Sequence, residues 1–350
     1  MHMRENQEPE QRSRGRHRDQ DHAASVWREK ESVEGRPTDA GVVILQTSGC
    51  RHFHTGGCSM CGYNVDSSNG ISQQNITKQF DNAMDQLDGI SFLKIYTSGS
   101  FLDECEITSD TSDHILKRCA DANLRLLFES RPEYVTTERL DHMHAIHDDL
   151  EIALGLESSN DNVLRYSVNK GFAVEDYEKA TTVLNAKGID VRTYVLLKPP
   201  FLTESEAIED AKATVAFAAK SSKTISLNPV NVQKGTLVER LWRNWAYRSP
   251  WLWSVLKVLR ESDTKGKKLI CDPTGGGKER GAHNCGTCDE VILDSIRAYS
   301  MTQDRSRLGS PECDCRETWE SIIDVESYVM GGTCDLQRFF ARRDRRSKMH

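Results

Sequence analysis

Between Val42 and Pro229, short apolar β-rich runs alternate with longer amphipathic ones, and this alternation limits the possible folds more than any other feature. The runs VVILQTS (42–48), FLKIYTS (92–98), LRLLFES (124–130), LEIALGL (150–156), DVRTYVLL (190–197) and KTISLNP (223–229) read as strands. The stretches 73–87, 110–122, 136–147, 174–187 and 203–220 read as helices. Strands alternating with helices pair in parallel through right-handed crossovers. Six such units predict an α/β fold, either an open doubly wound sheet or a partial barrel. Polar groups separate the two. Cys50, Ser98-Gly99-Ser100, Glu129, Glu157, Lys198 and Asn228 sit at or just past the six strand ends. A barrel opens every strand end on one rim, whereas an open sheet gathers its site at one switch point. The expectation is a partial (β/α)6 TIM-type barrel over 41–234.

The 350 residues suit one large domain plus an appendage. Residues 1–40 are polar with few aliphatics, which predicts a flexible arm, with Arg12, Arg14, Arg16 and Arg18 able to touch RNA. The alternation stops near 235, and 235–350 reads as a C-terminal extension. There Trp242, Trp245, Tyr247, Trp251 and Trp253 interleave with Arg240, Arg243, Arg248 and Arg260. Packing of the extension onto the barrel is the preferred reading of these aromatics over RNA contact. Ser249-Pro250 resembles a helix start. A net charge of −7 argues against a uniformly basic nucleic-acid coat. No apolar run is long enough to span a bilayer, and no signal peptide is visible, so the expectation is a cytoplasmic protein without a membrane partner.

Eleven cysteines in a reducing compartment point to metal or catalysis rather than disulfides. Cys50, Cys58 and Cys61 lie in LQTSGCRHFHTGGCSMCGYN, one Gly-rich loop after the first strand. A four-iron cluster prefers four thiolates, so three leave one iron open. An open position marks a catalytic centre, as it does for zinc. This is the arrangement of radical S-adenosylmethionine (SAM) chemistry, in which the open iron binds SAM and one electron cleaves it. The spacing C-x7-C-x2-C departs from the commonest C-x3-C-x2-C. The alternative is a zinc site with His52 or His54 as fourth ligand.

Other rim segments extend the site. Ser98, Gly99 and Ser100 in YTSGSFLDE stand where a Gly-rich segment would receive the amino group of SAM. FESRPEYV places Glu129 and Arg131 at the rim, and LGLESSND places Glu157 there. Acids at strand ends also cap helices, but Ser158 or Ser159 is available for that, leaving Glu157 for other work. Lys170, Lys198 and Asn228 are further candidates.

Together with VNKGF, LLKPPFLTESEAIEDA and LNPVNVQKGT, these segments resemble the radical SAM subunits of archaeosine synthase, relatives of the radical SAM domain of the Elongator catalytic subunit. The likeness runs from about Gly41 to Trp319. It implies a radical SAM-type barrel with a [4Fe-4S] cluster on Cys50, Cys58 and Cys61, and SAM held by Ser98, Gly99, Ser100, Glu129, Arg131 and Glu157. It also implies a role in tRNA modification. A partner subunit attaches lysine to the nitrile of a 7-cyano-7-deazaguanine base, and the radical SAM subunit cleaves the lysine C–N bond, leaving archaeosine in the D-loop. Partners would be tRNA, the lysine-transferring subunit and an electron donor. Another radical SAM tRNA modification, such as methylthiolation, and a non-catalytic zinc-bearing tRNA adaptor are the alternatives.

A second cysteine group lies in CDPTGGGKERGAHNCGTCDE (271–290) and PECDCRETW, with Cys334 beyond. A closed tetrahedral zinc site on Cys271, Cys285, Cys288 and Cys315 is expected, with Cys313 or His283 as alternative ligands and a second iron–sulfur cluster as the other reading. GGGK (275–278) is no phosphate-binding loop, because Glu279 follows the lysine and no strand is expected before it. Cys105 and Cys119 read as small buried hydrophobes. The tail RFFARRDRRSKMH (338–350) is basic enough to steer RNA.

Overall fold

A computed structural model describes residues 19–63, 67 and 70–329. Residues 1–18, Cys334 and the basic tail lie outside that range. Eight strands form one sheet in unbroken chain order: β1 (Ser25–Val33), β2 (Arg36–Ile44), β3 (Phe92–Tyr96), β4 (Arg125–Ser130), β5 (Leu150–Glu157), β6 (Asp190–Leu197), β7 (Thr224–Pro229) and β8 (Lys268–Cys271). β1 pairs antiparallel with β2, and every pairing from β2 to β8 is parallel. Unbroken order leaves no switch point, so the sheet curls into a half-barrel, as expected. β1 and β8 extend the six expected units at the two edges.

One expectation fails at the start of the chain. Residues 25–40 are not an arm but form β1 and most of β2. Val26, Trp27, Val33 and the β-branched Thr38 supply enough strand-forming surface for a hairpin turned at Glu34 and Gly35, both at positive φ.

The helices fall where the periodicity predicts: α1 (Gln73–Met84), α2 (Ser109–Asp121), α3 (Thr137–His144), α4 (Val174–Ala186) and α5 (Glu204–Ala218). The extension adds α6 (Leu237–Arg243), α7 (Leu252–Glu261), α8 (Asp289–Thr302) and α9 (Cys315–Val329). Thr203 and Glu206 form a capping box at α5. Ser249 does not cap α7, since its hydroxyl donates to the Arg280 carbonyl at 2.8 Å. Glu204 and Asn284 instead accept the first α7 amides, from Trp251 and Leu252, both at 2.9 Å.

The period of two along each strand sorts side chains between two environments. Leu93, Ile95, Leu126, Phe128, Ile152 and Val191 face the helices. Phe92, Leu127 and Ala153 form a small apolar layer inside the curl, with Tyr96 and Tyr194 against it. Beside that layer lies a buried charge set. Glu31 from β1 pairs with Lys94 on β3, with Arg192 on β6 at 2.5 Å and with Lys268 on β8 at 3.2 Å. One β1 side chain meeting β6 and β8 measures how far the sheet has rolled. Burial opposes the charge on Glu31, but Arg192, Lys94 and Lys268 outweigh it and hold its carboxyl far below the usual range. Breaking a buried set from one side leaves stranded charge, which costs about 3–5 kcal/mol. Glu31→Ala is therefore expected to lower unfolding free energy by about that amount in urea titration at neutral pH, while an exposed change such as Glu34→Ala stays within about 0.5 kcal/mol.

Candidate active site at the barrel rim

The wide spacing between the first two cysteines is absorbed locally. Cys50 precedes a 3-10 turn, Arg51–Thr55, where the Phe53 N–H donates to the Cys50 carbonyl at 3.1 Å. Gly56 (φ 129°) and Gly57 (φ 67°) then fold the chain back in conformations other residues rarely adopt. The Cys61 N–H donates to the Cys58 carbonyl at 3.2 Å. The four extra residues are thus an inserted turn within the same loop.

Neighbouring loops clamp this one from two sides. His52 Nε2 lies 2.7 Å from the Asn169 carbonyl, and Asn169 Nδ2 donates to the Gly57 carbonyl at 2.7 Å. Opposite, the Gly62 N–H donates to Gln233 Oε1 at 2.5 Å, and the Val238 N–H to the Ser59 carbonyl at 3.2 Å. His52 is therefore occupied as an anchor, and His54 is exposed against Phe53. Burial pushes the Cys58 thiol up and the Cys61 thiol up to about 11, and the charge of Cys50 adds to both. Such thiols ionise readily only when a cation takes up the charge. Among the described residues, the trio is not drawn into the close grouping a single ion requires.

The turn after β3 presses on the cysteine loop. A Cβ on Gly99 would stand 2.8 Å from Cys50 Cα and 2.2 Å from Glu106 Oε2, so only glycine permits this approach. Glu106, which sequence reasoning missed, organises the contact. It accepts from the Ser100 N–H and from Thr47 Oγ1, both at 2.5 Å. Ser100 Oγ in turn accepts from the Arg131 N–H at 3.0 Å, and Ser98 Oγ donates to the Tyr63 carbonyl at 3.5 Å.

The strand-end charges converge inside the rim. The register of β5 against β6 slips between Gly155 and Glu157, and Glu157 takes φ 68°. That bulge re-aims Glu157, whose Oε1 lies 2.8 Å from Lys170 Nζ. Burial opposes the ammonium of Lys170, but Glu157 and Cys58 outweigh it and raise its affinity for the proton. Arg131 donates to the Lys170 carbonyl at 3.0 Å and to Glu133 at 2.6 Å, so it braces the rim with at least part of its guanidinium. Burial raises Glu129 to about 7, with Tyr194 hydrogen-bonded to it. Ser158 accepts the Asn160 N–H at 3.0 Å, so Glu157 is spared capping work. Lys198 and Asn228 do not join this group, since Lys198 Nζ pairs with Glu204 at 2.5 Å and Asn228 accepts from Ser226 at 3.0 Å.

The second cysteine group is corrected by the structure. Cys285, Cys288, Cys313 and Cys315 bring their sulfurs within 4.8 Å of one another. Cys271 is absent from the group because it points from β8 into the apolar core beside Leu269 and Ile296. His283 is engaged with the Gly281 carbonyl at 2.8 Å. Two side-chain N–H groups face the sulfurs: Trp253 Nε1 at 3.3 Å from Cys315 and Asn284 Nδ2 at 3.2 Å from Cys288. Backbone amides of Thr287 and Cys288 hold Cys285 down to about 6. β8 does precede GGGK, contrary to expectation, although Glu279 still follows the lysine. Cys119 is buried as expected and Cys105 is exposed. No described helix is long and apolar enough to cross a membrane.

A parallel half-barrel with three loop cysteines past its first parallel strand defines the radical SAM class of protein. The chain is 39% identical over 317 residues to archaeosine synthase subunit beta of Methanosarcina acetivorans, covering 88% of this chain and 92% of that one. It is 37% identical over 312 residues to archaeosine synthase subunit beta of Thermococcus kodakarensis, covering 86% and 96%. The chain belongs to the archaeosine synthase subunit beta family. No family model matches it. Among solved structures, Methanocaldococcus infernus Elp3 aligns with TM-score 0.47 and 16% identity over 66% of this chain and 56% of that one.

Gly99→Ala is expected to displace the Cys50 backbone. Anaerobic reconstitution should then give less than a tenth of the wild-type cluster absorbance, with the far-ultraviolet circular dichroism unchanged.

Proposed function

We propose that this protein is a radical SAM enzyme that cleaves the C–N bond of a lysine adduct on a 7-deazaguanine base of tRNA, leaving the amidine of archaeosine in the D-loop. The observation that carries the reading is the clamped loop offering three half-buried thiols with its nearest histidine spent elsewhere. That donor set fits a [4Fe-4S] cluster on Cys50, Cys58 and Cys61 with one iron free of protein. When bound, cluster and SAM supply a 5′-deoxyadenosyl radical able to take hydrogen from an unactivated carbon.

The chain's own residues do the rest. The Ser98–Ser100 turn, held by Glu106, presents backbone groups beside Cys50 for the methionine end of SAM. Glu157 and Glu129 offer carboxyl groups for its amino and ribose groups. Arg131 braces the loop that carries Lys170. The lysine-transferring subunit supplies the substrate, and an external donor supplies the electron. The family membership supports the reaction. Cys58→Ala is expected to abolish 5′-deoxyadenosine formation while the chain stays folded. Mass spectrometry of tRNA nucleosides after turnover should show the lysine adduct converted to the formamidine. Sulfur inserted into the base would favour methylthiolation instead, and a colourless zinc-only protein would favour an adaptor.

The C-terminal cysteines fit a structural zinc. A Zn–S length of about 2.3 Å places tetrahedral sulfurs about 3.8 Å apart, close to the 3.5–3.6 Å between Cys285 and Cys313, Cys313 and Cys315, and Cys288 and Cys315. An iron–sulfur cubane needs a wider set. Zinc there would tie the start of α8 to the start of α9. Cys313→Ser is expected to lose one equivalent of zinc by elemental analysis, whereas Cys271→Ser keeps it; the opposite pattern would restore Cys271 as ligand.

A further inference from the structure

Five aromatic side chains are exposed among the described residues: Trp27, Phe53, Tyr63, Phe201 and Trp245. Trp27 lies on the edge strand β1. Phe53, Tyr63 and Phe201 stand on loops that follow β2 and β6 at the mouth of the half-barrel, and Trp245 stands between α6 and α7. Burial is the ordinary fate of such rings.

Trp245 is the extreme case. It is 92% exposed, while Trp251 and Trp253 from the same segment are buried at 8% and 3%. Trp242 and Tyr247 pack on the same core. Four of the five aromatics in the segment therefore serve packing, and one does not. Trp245 also sits at φ 58°, just past the end of α6, with its N–H donating to the Trp242 carbonyl at 3.1 Å. Glycine fills such helix-ending positions at lower conformational cost. The fold therefore gains nothing from tryptophan there. Phe201, 39% exposed, also takes a positive φ, 72°.

Two contacts tie the segment around Trp245 to the loops of the rim. Tyr247 donates its hydroxyl to the Lys198 carbonyl at 2.7 Å, past the end of β6. The turn before α6 touches the cysteine loop, where a Cβ on Gly62 would meet the Lys234 carbonyl at 2.9 Å. Lys234, Arg240 and Arg243 are exposed on the same segment, Arg243 with Glu239 at 3.0 Å, in a chain of net charge −7. Exposed rings flanked by cations are the surface that unpaired nucleotides select, bases stacking on the rings and phosphates meeting the cations.

Resting on the tRNA reading above, we propose that Trp245, with Phe53 and Phe201, forms a stacking platform for unpaired tRNA bases flanking the modified nucleotide. A base buried within a folded tRNA must leave its stack before an enclosed site can act on it, and the platform replaces the stacking that its neighbours lose.

The test uses the full, anaerobically reconstituted chain and an in vitro tRNA transcript, with binding measured at fixed salt. Trp245→Gly relieves the positive φ, so the variant should melt no lower than wild type and keep its cluster absorbance. Its affinity for the transcript should fall about 5- to 160-fold, the range for losing one stacked base, and Trp245→Phe should recover most of it. Arg240→Ala should weaken binding and reduce the log–log salt slope by about one. Wild-type affinity in Trp245→Gly would overturn the platform while leaving the tRNA reading standing. Intact tRNA binding with lost affinity for the lysine-transferring subunit would overturn it as well, assigning the surface to protein. Failure of wild type itself to bind tRNA would instead remove the reading on which the platform rests.

Discussion

Hydrogen bonding between strands in unbroken chain order is the constraint on which everything else in this protein depends. From β2 to β8 each parallel strand pairs with the next, so the crossover helices cover one face and the other rolls inward. A rolled sheet has an interior too narrow for an ordinary apolar core. The sequence fills it with a thin layer of Phe92, Leu127 and Ala153, beside paired charges gathered around Glu31 and Arg192. The parallel pairing from β2 to β8 places the carboxyl ends of these seven strands on one rim. Residues as distant as Cys58 and Lys170 become neighbours without any long-range design in the loops themselves.

That geometry explains why glycines and anchoring bonds, rather than bulk packing, determine the site. Gly99 lets one loop rest on the Cys50 backbone, and Gly155 makes room for the Glu157–Lys170 pair, where a Cβ would stand 2.7 Å from the carboxylate. Glu106 joins the turn after β3 to the end of β2 through Ser100 and Thr47. These contacts fix backbone, and backbone fixes where sulfur and carboxylate donors stand. The extension then supports the rim from outside, with Glu204 accepting the Trp251 amide while pairing with Lys198.

Much of this was legible in the amino-acid sequence because strand and helix periodicities are local. All six inner strands and five barrel helices lie where the alternation places them, and the rim candidates Cys50, Gly99, Glu129 and Glu157 do converge. Three features escaped. β1 is mostly polar, so its composition resembles a loose arm, and only the curl of the sheet brings its Glu31 against Arg192 and Lys268. Glu106 lies in an irregular loop, where no period marks an inward-facing acid. Cys271 sits near its cysteine neighbours in sequence, yet the parity of β8 turns it into the apolar core, and Cys313 takes its place. Each failure is a contact between distant segments, which local pattern does not encode.

The central claim is that the loop after β2 offers three sulfur ligands and leaves one iron to a small molecule. Electron paramagnetic resonance of the reduced, anaerobically reconstituted protein tests it directly, with spectra taken before and after SAM is added. The account predicts that SAM shifts the g-values of the cluster and that SAM carrying nitrogen-15 on its amino group gives a resolved hyperfine coupling. An unchanged spectrum, with the coupling instead arising from nitrogen-15 histidine in the protein, would show the fourth position held by a side chain and would contradict the account.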